Sequence, residues 1–105
     1  MAKTSRAPKP VKTLVIYHPK KGKERSFSTL IKKHWRTLKK VGLVTADPSI
    51  VYQAKDGRSG KTIFVEIFSW KDGKASTLAH STPEVMAIWH AMSPILETMS
   101  HSMVK

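Results

Sequence analysis

The chain contains no cysteine and no asparagine, and only 7 of its 105 residues are acidic. Without cysteine there is no disulfide framework and no thiolate nucleophile, so packing alone must hold the fold. Long apolar runs are missing too: none approaches the roughly 20 residues that span a bilayer. Residues 1–10, MAKTSRAPKP, are basic but lack an apolar stretch, so they do not read as a secretory leader. The default expectation is a cytoplasmic protein.

What is present is an ordinary globular composition, 40% hydrophobic and 25% charged, with an extraordinary charge balance of +12. Residues 1–61 carry 16 Lys or Arg against Glu24, Asp47 and Asp56, whereas residues 62–105 are close to neutral at −1. The excess therefore belongs to the first part of the chain, a distribution that points to an anionic partner or to a solvated basic face. A chain this short has room for one domain, and a second subunit would help it bury surface.

Patterning divides the chain into a basic, disordered arm over residues 1–10 and a single domain over 11–105. Val11 to Tyr17 is β-branched and aromatic and stops at His18-Pro19, so it reads as a strand. Glu24 to Val41 reads as a helix: Phe27, Leu30, Ile31, His34, Leu38 and Val41 form its apolar stripe, Trp35 lies beside them, and Lys32, Lys33, Arg36, Lys39 and Lys40 fall opposite. Gly42 is the expected left-handed stop. Ser49 to Ala54 and Lys61 to Trp70 form a hairpin around KDGRSG. The GRSGKT run imitates the end of a phosphate loop, but its first glycine is missing and a strand follows it, so it carries no nucleotide site. A helical piece ends near Ser81; Thr82-Pro83-Glu84 then starts a second helix through Val85, Ile88, Trp89, Met92 and Leu96. Pro94 ends or kinks that helix unless it opens a further turn. The tail after Glu97 reads as a last turn, a short edge strand or disorder.

The order β-α-β-β-α, with a possible final strand, predicts an α+β fold of ferredoxin-like topology with two helices on one sheet face. The third strand is apolar on both faces: Ile63, Val65 and Ile67 alternate with Phe64, Phe68 and Trp70, and Glu66 sits among the second set. The first strand repeats the pattern. A sheet with one wet face alternates apolar and polar residues, so this one calls for a second cover. Sheet-to-sheet homodimerisation is the simplest; the arm or tail folding over is the other.

Several residues together resemble the dimeric α+β barrel superfamily, specifically its small antibiotic-biosynthesis-monooxygenase-like members. They are Phe64 to Trp70 (FVEIFSW), Lys71-Asp72, Ala79-His80, Pro83-Glu84-Val85 and Ile88-Trp89, joined by Trp35 and Gly42-Leu43. The resemblance covers about residues 11 to 97. It implies two ferredoxin-like subunits packed sheet on sheet, each with a pocket between sheet and helices. The implied activity is cofactor-independent oxygenation or isomerisation of a small hydrophobic or aromatic molecule. Two departures stand out. Haem-degrading relatives place an asparagine in the pocket, and this chain has none; the usual fourth strand is at best vestigial in Met99 to Lys105.

His80, at the position the resemblance favours, is the candidate acid or base; the alternative is a helix-terminal histidine bonded to free carbonyls. Glu66 is a candidate orienter or second base if it lines an apolar cavity, or else a structural carboxylate bonded to Lys12, Tyr52 or a partner subunit. Trp35, Phe64, Phe68, Trp89 and Met92 are candidate pocket walls, though helical spacing equally suits plain core. No cofactor is implied. The five histidines show no i, i+4 pair, which argues against zinc. The rival function is nucleic-acid association through the arm (Lys3, Arg6, Lys9) and the basic helix face, without the aromatic-interleaved strand of RNA-reading ferredoxin-like domains. A non-catalytic scaffold is the third. Sedimentation equilibrium at micromolar concentration is expected to return a dimer; a monomer there would remove the reading of the two apolar sheet faces.

Overall fold

A computed structural model describes residues 9–104. The expected disordered basic arm, over Met1 to Pro8, and Lys105 lie outside the described residues. The elements run β1 (Val11–Pro19), α1 (Glu24–Lys40), β2 (Ile50–Lys55), β3 (Thr62–Trp70), α2 (Ala75–Ala79), α3 (Pro83–Met92) and β4 (Leu96–Met103), with a 3₁₀ turn at Ser93–Ile95. The sheet is antiparallel in the order β2-β3-β1-β4, the ferredoxin-like arrangement expected from the sequence.

The largest departure is at the end of the chain. β4 is not vestigial but pairs with β1 over most of its length, from Thr13↔Met103 to His18↔Thr98. Pro94 opens the 3₁₀ turn that swings the chain from α3 into this strand. The β1–β4 register slips at His18/Pro19, where proline has no N–H to give to the ladder. Lys20 N–H restores the link just beyond it by bonding to the Ile95 carbonyl at 2.8 Å.

Between α1 and β2 the chain turns through Gly42, whose φ of +78° belongs to the left-handed region, and Leu43 and Val44 then run extended against the end of β3. Asp47-Pro48 separates this segment from β2. The KDGRSG stretch closes the β2–β3 hairpin as expected, with Gly60 N–H on the Asp56 carbonyl.

Strand alternation sorts the residues cleanly. Thr13, Val15 and Tyr17 of β1 and Phe64, Glu66, Phe68 and Trp70 of β3 are buried beneath the helices. Leu14, Ile16, Val65 and Ile67 share the opposite face, with Ile50 and Tyr52 at 50% and 58% exposure beside them. No element of the described chain covers that second face.

The core is centred on Phe27 of α1, which is fully buried with its ring 4.8 Å from Tyr17 and 5.1 Å from Phe64. Offset aromatic contacts of this kind add to simple area burial. Phe27→Ala is expected to lower stability by about 3–5 kcal/mol, read as a fall in the urea midpoint with an unchanged slope.

Candidate functional site

Between the helices and the β1–β4 side of the sheet lies a cavity of about 740 Å³, open to solvent and mostly apolar. β1 and β3 form its floor with Val15, Tyr17, Phe68 and Trp70, while α3 gives Trp89 and Met92. α1 contributes His34 to it, and the turn after α2 contributes His80. β4 forms the outer wall through Met99, His101 and Met103, which share the helix-facing side because their partners are Tyr17, Val15 and Thr13. Met99 and Met103 remain exposed at 52% and 71%, since the helical layer does not extend over β4.

A hydrogen-bonded chain of four side chains lies under this cavity. Glu66 is fully buried; its Oε1 accepts the Tyr17 hydroxyl at 2.7 Å, and its two oxygens lie 3.0 and 3.1 Å from His34 Nδ1. On the other side of the ring, Trp89 Nε1–H donates to His34 Nε2 at 2.9 Å. An indole N–H can only donate, so Nε2 carries the lone pair and Nδ1–H donates to the carboxylate. The imidazole is therefore neutral, held in one tautomer from both ends. Among the described residues no Lys or Arg pairs with Glu66. A buried carboxylate without a cation depends on its hydrogen bonds, and these come from β1 and α1.

The expected partners of Glu66 were Lys12, Tyr52 or a second subunit. The structure corrects the first two, because Lys12 and Tyr52 share the other sheet face, and gives Glu66 Tyr17 and His34 instead. Nor does Glu66 line the cavity itself: it reaches it only through Tyr17 and His34. His80 and Glu66 are thus not a directly cooperating pair. Phe68, Trp89 and Met92 do line the cavity. Phe64 does not: it stands four residues from Phe68 along β3, against Phe27. Trp35 also lies away from it, about 100° around α1 from His34, partly buried against the core with its indole N–H unpartnered. His34 and Tyr17 are the site residues that sequence reasoning missed. The usable signal was a histidine on the apolar stripe of α1 facing strands that hold one inward carboxylate.

His80 follows the last residue of α2, and its ring stands edge-on to Trp89 with centroids 4.9 Å apart. Its backbone N–H goes to the Thr77 carbonyl, which leaves the Ser76 carbonyl for the ring, 2.8 Å from Nδ1. Since a carbonyl only accepts, Nδ1 holds a hydrogen, and Nε2 is left without a protein partner among the described residues. The helix-terminal role and a free basic nitrogen coexist in one side chain.

Neither a family model nor a curated protein matches this sequence. Solved structures do match its fold. PA3566 from Pseudomonas aeruginosa superposes with a TM-score of 0.72 at 10% identity, covering 94% of this chain and 95% of that one. SnoaB, a cofactor-independent oxygenase from Streptomyces nogalater, gives 0.66 at 14% identity, covering 92% and 93%. An antibiotic biosynthesis monooxygenase gives 0.69 at 14%, covering 90% and 96%. The chain has the fold of the antibiotic biosynthesis monooxygenase-like proteins. Identities this low establish the monooxygenase-like fold and leave the chemistry to the residues of this chain.

Burial, then the charge and hydrogen bond of Glu66, hold the Tyr17 phenol well above its usual value of 10.0. The folded-state value lies above the unfolded one, so the stabilisation from the neutral phenol is fully present below about pH 10 and is lost as pH rises through the folded value. Tyr17→Phe is expected to cost about 1–3 kcal/mol at pH 7 by leaving a carboxylate oxygen short of a donor. That difference from wild type, followed by urea unfolding, should shrink as the pH is raised beyond 10.

Proposed function

We propose that this protein binds a small, planar, mostly apolar phenol or enol in the cavity and oxidises it as a cofactor-independent monooxygenase. The carrying observation is the placement of His80, whose Nδ1 is tied to the Ser76 carbonyl, beside the Trp89 ring at an apolar cavity. A volume of about 740 Å³ suits a small-molecule site, and an apolar lining with a few fixed polar groups suits an aromatic hydroxyl compound. The description of SnoaB as a cofactor-independent oxygenase supports the same reading.

In this reading His80 Nε2 takes the substrate hydroxyl proton. The electron-rich phenolate then gives one electron to dioxygen, and the resulting radical and superoxide combine at ring carbon to form a C–O bond. The peroxide anion takes the proton back from His80, and loss of water from the resulting hydroperoxide leaves a quinone. For a naphthol the balance is C10H8O plus O2 giving C10H6O2 plus H2O: the substrate is oxidised and dioxygen supplies both the product and the water oxygen. Trp89 stacks against the substrate ring, and the Glu66–His34 pair holds the indole in place from behind. His34 serves this role because Glu66 and Trp89 fix its ring from both ends.

The functional molecule in this proposal is a homodimer. Leu14, Ile16, Val65 and Ile67, with Ile50 and Tyr52, make an apolar band on the sheet face opposite the helices, and a second sheet is its natural cover. Such packing leaves the cavities on the outer sides, one per subunit.

With 1-naphthol as probe, binding should quench tryptophan fluorescence, and turnover should consume one dioxygen per quinone formed. His80→Gln is expected to lower kcat about 100-fold or more while changing the binding constant less than about threefold, since a positioned base contributes roughly 10² to 10⁴. Turnover without oxygen uptake, or equal kcat in the variant, would refute the assignment.

A further inference from the structure

We infer that the exposed face of α1 is a nucleic-acid-binding surface that grips the phosphate backbone without reading sequence. Arg25, Lys32, Lys33, Arg36, Lys39 and Lys40 are all exposed on this helix, whose one acidic residue is Glu24. Lys20, Lys21 and Lys23 continue the basic surface into the preceding turn. Among the described residues none of these cations is in an ion pair.

A solvated helix face ordinarily mixes both signs, because like charges three or four residues apart repel. Here Lys32–Arg36 and Arg36–Lys40 are i, i+4 pairs, and Lys33–Arg36 and Arg36–Lys39 are i, i+3 pairs. Each costs the isolated helix about 0.2–0.5 kcal/mol. Lys39 and Lys40 in the last turn are offset by the helix dipole. Lys32, Lys33 and Arg36, in mid-helix, and Arg25, in the first turn, have no such compensation. An anionic partner relieves the repulsion along the whole row.

The chemistry of the face selects among anionic partners. Every exposed residue of α1 is Lys, Arg, Ser or Thr. A membrane-surface helix needs an apolar edge to enter the headgroup boundary, and the apolar stripe of α1 is instead committed to the core through Phe27, Ile31 and Leu38. The face is linear. From Lys32 to Lys40 the helix rises about 12 Å, a length over which a duplex presents roughly seven phosphates. The surface lies on the helical side of the sheet, so sheet-to-sheet pairing leaves it free. It is also distinct from the cavity, to which α1 gives only His34.

The test is fluorescence anisotropy of a labelled 20-base-pair DNA duplex with the full chain between 50 and 300 mM NaCl. The expected result is micromolar binding at the low end, with log K falling against log salt at a slope of about −4.5, from some five neutralised phosphates. A variant combining Lys32→Gln, Lys33→Gln, Arg36→Gln and Lys40→Gln should flatten the slope to about −1 and bind at least about 100-fold more weakly at 50 mM. Glutamine keeps helix propensity, so its melting temperature should equal or exceed that of wild type. The single change Arg36→Glu should move affinity in the same direction. No binding at 50 mM, wild-type affinity in the charge-neutral variant, or tighter binding to phosphatidylserine vesicles than to the duplex would overturn the proposal.

Discussion

The fold is organised around one buried carboxylate. Glu66 sits in the middle of a central strand with no exposure and, among the described residues, no cation, a placement tolerated only where its oxygens are fully engaged. Tyr17 engages it from the neighbouring strand and His34 from the helix above, so one residue fixes the position of α1 over the β1–β3 pair. His34 passes the constraint outward by accepting the Trp89 indole, which places α3 relative to α1. Apolar packing is non-directional and would allow α1 and α3 some freedom to slide. Three directional links in a low-dielectric setting remove it.

The cavity follows from that arrangement. Trp89 would otherwise be a large side chain on a short helix of only 10 residues, free to turn into the space beside it. Held by His34, it stands as a wall, and His80 leans on its edge from the other side. The polar atoms with fixed hydrogen-bond roles thus sit at one end of an apolar chamber, while the methionine-lined β4 wall opposite is soft and adaptable.

Much of this was legible in the sequence. β1, α1 and β3 were readable because their apolar periods are long and their stops, Pro19, Gly42 and the DGRSG turn, are strong. β4 was not. Its alternation is Met99, His101 and Met103 against Thr98, Ser100 and Ser102, and a half-exposed edge strand shows neither a β-branched run nor a clear hydrophobic face. The pocket walls were half legible. Phe68, Trp89 and Met92 followed from type and period, but an aromatic on a buried face serves core and cavity alike, and only the reach of the helices over the sheet separates Phe64 from Phe68. The Glu66–His34 bond was hidden for a different reason: two polar residues 32 positions apart carry no local pattern that joins them.

Those separations also bear on how the chain reaches its native state. The four-residue hydrogen-bond chain closes loops of 49, 32 and 55 residues at once, so local helix or hairpin formation cannot supply any of its links. Until β1, α1 and β3 have all docked, Glu66 is better served by water than by a partially formed core. Dehydration of this carboxylate is accordingly tied to the docking of residues far apart in sequence. A compact state missing either Tyr17 or His34 would leave a carboxylate oxygen at its centre short of a donor.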